Sequence, residues 1–169
     1  MKTALAALAL LSAAAVSPLV GQGDNDGTRA TLAGLTGVYV LVEHIDDDAQ
    51  RDGLDTLQVR TDVEVKLRQA SISVLSEEEQ FSTAGAAYLY INIQTAKNKL
   101  SVYAFSVRVE LRQGVMLIRN QSMRRLATTW SATGTIGTVG SQKLASVREV
   151  VRDLTDQFIN AYLAANPKR

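Results

Sequence analysis

Between Tyr103 and Arg112 the chain alternates with a period of two. Tyr103, Phe105, Val107, Val109 and Leu111 fall on one side of an extended strand, while Ser106, Arg108, Glu110 and Arg112 fall on the other. Successive side chains of a strand point to opposite faces, so this pattern requires one dry and one wet face, as in an antiparallel sheet covered on one side. The dry face needs a lid, and two amphipathic segments are present to form one. In the later segment Leu144, Val147, Val151, Leu154, Phe158 and Tyr162 recur every three or four residues and stop before Pro167, which predicts a long closing helix. Ser141 and Ser146 are its candidate caps, the latter with Glu149 as a capping box. In the earlier one Val59, Val63, Leu67 and Ala70 share a helical face behind Asp55 as N-cap, with Gln58 three residues on and Leu54 placed as a staple.

The remaining strands follow from the same periodicities. Gly37 to Ile45 is nearly continuously apolar and predicts a strand buried on both faces. Ala87 to Gln94 predicts another, with Leu89, Ile91 and Ile93 on one side and Tyr88, Tyr90 and Asn92 on the other. Ile72 to Leu75 is a short extended return before a charged turn at Glu77-Glu78-Glu79, and Lys97-Asn98-Lys99 is a hairpin turn. Gln113-Gly114 marks a bend before Val115 to Ile118, Arg119 to Gln121 turns into a strand at Ser122 to Trp130, and Ser131 to Gly140 is a glycine-rich loop. This order predicts an α+β two-layer sandwich, a mainly antiparallel sheet of four to five strands with two helices on one face.

Before the domain, Lys2 precedes the apolar run Ala4 to Val16 and small residues with Pro18. That is the layout of a secretory signal peptide over 1–21, shorter than the ~20 apolar residues of a membrane span. It predicts a periplasmic or secreted protein whose mature form has no transmembrane segment. Residues 22–34, rich in Gly, Asp, Asn and Thr without periodicity, predict a flexible N-terminus ahead of a single domain at 35–166.

Composition then narrows the chemistry. The chain has no cysteine, which removes disulfides, thiolate metal sites, cysteine nucleophiles and a lipid-bearing cysteine. Its 18 Lys and Arg face 17 Asp and Glu, so no net positive field marks nucleic acid as a partner. His44, the one histidine, adjoins Glu43 and precedes Asp46-Asp47-Asp48. Neighbours along a strand point to opposite faces, however, and do not converge on a substrate. There is no Gly-x-Ser-x-Gly elbow for a serine hydrolase. The acidic runs Asp24 to Asp26 and Asp46 to Asp48 lack the spacing of a calcium loop, and no metal or cofactor is expected. Gly134 to Gly140 lacks the dinucleotide-binding spacing, although amides ahead of a helix are an anion site in principle.

The element order from Leu35 to Leu163, together with Ala87-Tyr88-Leu89-Tyr90-Ile91, resembles the small bacterial envelope domains that include the TolB amino-terminal domain and the curli-secretion CsgG domain. The run Trp130, Gly134, Gly137, Gly140 is similar to one found in uncharacterised secreted bacterial proteins. The broader resemblance implies a protein that contacts other envelope proteins rather than one that turns over a substrate. It departs from that group in lacking a lipobox cysteine and a following propeller.

Two site hypotheses follow. In the first, the sheet face opposite the helices, with Tyr88, Tyr90, Asn92, Ser106 and Arg108, binds another envelope protein or a second copy of the chain, since Tyr and Arg are enriched at interfaces; an ordinary solvated face is the competing view. In the second, Trp130 with Gly134, Gly137 and Gly140 binds a small ligand or glycan. Neither hypothesis assigns a catalytic residue, and the expectation is a non-enzyme.

Overall fold

The computed structural model describes residues 23–83 and 85–167; the predicted signal peptide lies outside them. The fold is α+β, a mostly antiparallel open sheet with helices packed on it. In chain order the elements are α1 (Asp26–Ala30), β1 (Val38–Val42), α2 (Asp47–Arg51), α3 (Thr56–Gln69), β2 (Val74–Leu75), α4 (Glu77–Ser82), β3 (Ala87–Lys97), β4 (Val102–Leu117), β5 (Asn120–Ser131), β6 (Thr135–Gly140) and α5 (Val147–Ala165), the last preceded by a 3₁₀ turn at Ser141–Ser146. The sheet order is β2-β1-β3-β4-β5, with β6 on the same side of β4 as β5.

The six strands exceed the four to five expected because the glycine-rich segment is no loop. Glu110 pairs with Ser131 and Val107 with Thr135, so β5 and β6 run in line along β4, broken by one extra residue between them. This is bulge geometry, in which an unpaired residue interrupts a ladder without ending it. A second departure is at β1, which lies parallel to both β2 and β3. Parallel neighbours need crossover connections, and α2 with α3, then α4, provide them.

The core is sealed between sheet and helices. Val38 and Val40 of β1, Leu89, Ile91 and Ile93 of β3, and Tyr103, Val107, Val109 and Leu111 of β4 are buried against Val59, Val63 and Leu67 of α3 and Val151, Leu154, Phe158 and Ala161 of α5. Asp55 caps α3 as the sequence predicts, its carboxylate accepting the Gln58 amide at 2.8 Å. Neither predicted serine caps α5 through its side chain, because the 3₁₀ turn leads directly into the helix and Glu149 pairs instead with Arg152 at 3.1 Å. The charged segment after β2 is a helix too, since Ser76 and Glu79 form a reciprocal capping box.

The segment expected to be loose is ordered from residue 23. Asn25 caps α1, Leu32 is completely buried, and Asp24 accepts from the Trp130 indole N–H at 3.0 Å and from Arg29 Nε at 2.6 Å. Low periodicity over 22–34 reflects the use of single anchor residues, which leave no repeating pattern.

Candidate functional site

The ladder between β3 and β4 pairs Tyr88 with Arg112, Tyr90 with Glu110, Asn92 with Arg108 and Gln94 with Ser106. Alternation puts all of these on the face opposite α3 and α5, so the five residues of the first hypothesis share one surface. β1 extends that surface: its register sets Tyr39 beside Tyr88 and Leu41 beside Tyr90, and Glu43 follows two residues later. Tyr39 is nearly buried, edge-on to Tyr88 at 6.0 Å between ring centroids and beneath the Arg60 guanidinium at 5.1 Å.

Glu43 is the hub. Its Oε2 accepts from the Tyr90 hydroxyl and from Asn92 Nδ2, and Asn92 Oδ1 accepts from Arg108 at 3.3 Å. The Tyr90 hydrogen bond, then that of Asn92 and the nearby Arg112 and Arg108 charges, hold the Glu43 carboxyl below its ordinary range. Burial, with Glu43 alongside, pushes the Tyr90 phenol up. Arg112 stacks on the Tyr90 ring, 3.5 Å from its centroid, and donates to Glu110 at 2.9 Å. Glu110 also accepts from Thr128 at 3.1 Å, which ties β5 to the network.

Above this network the face dips into a concavity of about 720 Å³, floored by Asn92, Gln94, Ala104 and Ser106 and walled by Glu43, His44 and Asp46 on one side and Ile136 on the other. His44 is highly exposed, its Nε2 3.4 Å from Asp47. It shares the rim of the concavity with Glu43. The arrangement presents fixed donors and acceptors beside apolar atoms of Leu41 and Ile136, which suits recognition of peptide-like groups.

Glu43 and Arg112 join this network, although the sequence-based site did not include them. Glu43 reaches the network through the parallel register of β1 on β3, and Arg112 through the antiparallel register of β3 and β4; alternation within one strand carries no signal of either register.

The residues of the second hypothesis are placed differently from an exposed platform. Trp130 is fully buried, T-stacked on Phe158 at 5.4 Å, so it is a core residue with one hydrogen-bonded edge. Gly137 lies under Phe105: a Cβ there would come within 2.7 Å of the ring. Gly134 sits in the break before β6 and Gly140 at its end. Gly137 and Gly140 belong to β6, Gly134 precedes it, and Trp130 lies in the core. Among the described residues no group of three or more His, Cys, Asp or Glu is placed to hold a metal ion. Asp46 caps α2, and Asp48 pairs with Arg51. No described helix is long and apolar enough to cross a membrane.

Fold and site together define an α+β sandwich whose sheet carries the Glu43 network on the face opposite α3 and α5. No protein-family model matches the chain, and no curated protein does.

Proposed function

We propose that this is a non-enzymatic protein of the bacterial cell envelope that binds another envelope protein through its open sheet face. The observation that carries the reading is the register that gathers Tyr88, Tyr90, Asn92, Ser106 and Arg108 on one face, continuous with the concavity beside Glu43. The signal-peptide layout of residues 1–21 supports the compartment, and the resemblance to envelope domains supports the kind of partner. The polar network is already satisfied within the chain, so the face is preorganised and a partner need not order it on binding. Arg108 is exposed opposite Asn92, and Tyr88 lies half-buried four residues back along β3, opposite Arg112; such residues dominate interface energetics, each contributing roughly 2 kcal/mol or more when central.

The test is crosslinking capture from the native envelope with the wild-type chain and the Tyr88→Ala, Arg108→Ala double variant. A specific envelope protein captured by the wild type and lost in the folded variant supports the reading. Equal capture by both, or none by either, sinks it.

A further inference from the structure

The β4–β5 hairpin outruns the sheet. β3 begins pairing at Tyr88 opposite Arg112, so Gln113 to Leu117 and their β5 partners form a two-stranded ribbon with no third strand beside it among the described residues. At about 3.4 Å per residue this arm reaches roughly 15 Å past the last three-stranded pair. Its free end is apolar: Ile118 at the turn is 97% exposed, Met116 59% and Leu126 55%. Cross-strand pairing sets Met116 against Arg124 and Leu126 against Gly114, so Met116, Leu126 and Arg124 share one side of the ribbon.

The charge on the arm has one sign. Arg119, Arg124 and Arg125 are exposed, and among the described residues none is paired with a carboxylate. From Leu111 to Arg148 the sequence contains no Asp or Glu at all, although the whole chain is nearly neutral. The arm lies within this acid-free stretch, which continues through β6 and the 3₁₀ turn. A tip meant only for water has no use for three large apolar side chains, and one meant only to repel edge pairing needs the arginines without Ile118 and Met116. Guanidinium groups below a projecting apolar tip match a surface with phosphates outside and hydrocarbon within.

We infer that the β4–β5 hairpin docks on an anionic lipid surface, Ile118 and Met116 entering the acyl boundary while Arg119, Arg124 and Arg125 hold the phosphates. This does not depend on the sheet-face reading, because the arm leaves the sheet at the end away from the concavity.

The absence of cysteine makes a local test direct. An environment-sensitive fluorophore is attached to Gln121→Cys at the tip or to Lys99→Cys at the β3–β4 turn, in the full chain, and titrated with vesicles of phosphatidylcholine alone or with about 30% phosphatidylglycerol. The tip label is expected to brighten and shift to the blue only on anionic vesicles, and the Lys99→Cys label to stay unchanged. Arg119→Ser, Arg124→Ser and Arg125→Ser together should weaken the response on the order of 100-fold, at roughly fivefold per arginine. Ile118→Asp should weaken it roughly tenfold or more. Unchanged Trp130 fluorescence and circular dichroism establish that these exposed variants fold. The inference is overturned by a silent tip label, by an equal response at Lys99→Cys, by insensitivity to either set of substitutions, or by the same response to soluble polyglutamate, which would mark an acidic protein as the occupant.

Discussion

At the level of single residues, Trp130 shows how a side chain that looks like a ligand platform becomes a structural tie. Its ring fills the core against Phe158 while its indole N–H reaches Asp24, which fastens the segment before β1 to the sheet. Arg29, then the indole, keep the Asp24 carboxyl below its ordinary value. A depressed folded-state pKa contributes stability that is present above the unfolded carboxylate range and lost as pH falls through it. Asp24→Asn is therefore expected to lower the melting temperature near about pH 6, with the gap to wild type closing toward about pH 3, as read from thermal melts at both values. Gly137 is a second case: because a Cβ would press on the Phe105 ring, Gly137→Ala should cost about 1–3 kcal/mol in urea unfolding. Phe105→Leu in the same chain should recover part of that loss, and strictly additive losses would show that the ring contact is not the cause. The glycine itself was visible in the sequence. That it serves close strand packing was not, because its partner is more than thirty positions away in the chain.

Among the elements, local chemistry and tertiary pairing contributed unequally. α3 was legible because cap, staple and apolar face agree over one stretch, and α5 because its apolar positions repeat over five turns. α4 was read as a turn, although Ser76 and Glu79 already carried the capping-box signature; three successive glutamates obscured it. Ser76→Ala should remove about 1 kcal/mol of local stability, seen as faster hydrogen exchange at Glu79 and Gln80. Since no residue of α4 is buried, global unfolding should hardly change, and a large global loss would mean that the helix holds more of the fold than its exposure indicates. Phe158→Ala in α5 belongs to the other extreme: fully buried and stacked on Trp130, it should cost about 3–5 kcal/mol in denaturant unfolding. β6 escaped detection because glycine and threonine alternate there with only Ile136 and Val139 as large apolar residues. It is a strand because β4 is long enough to pair with both β5 and β6 along one edge.

At the scale of the whole molecule, the sheet separates two surfaces of different chemistry. One is the open face, where Glu43 joins β1 to β3, Arg112 joins β4 to β3, and Glu110 joins β4 to β5. Glu43→Gln should loosen Tyr90 and Asn92 and weaken partner capture while leaving the buried core intact, a separation that parallel measurements of capture and urea unfolding would reveal. The other is the basic arm beyond the sheet. The sequence by itself determined the fold class, because alternation along β3 and β4 and the two amphipathic helices are consequences of burial that local periodicity records. It also determined which side of β3 and β4 faces away from the helices, and hence where Tyr88, Tyr90, Asn92, Ser106 and Arg108 meet. Only the tertiary structure decided that β1 runs parallel and brings Glu43 to that face, that Trp130 turns inward to Asp24, and that Ile118 projects with the arginines behind it. Strand register, the choice of buried partner and the reach of a hairpin depend on residues far apart in the chain, and local patterning carries no record of them.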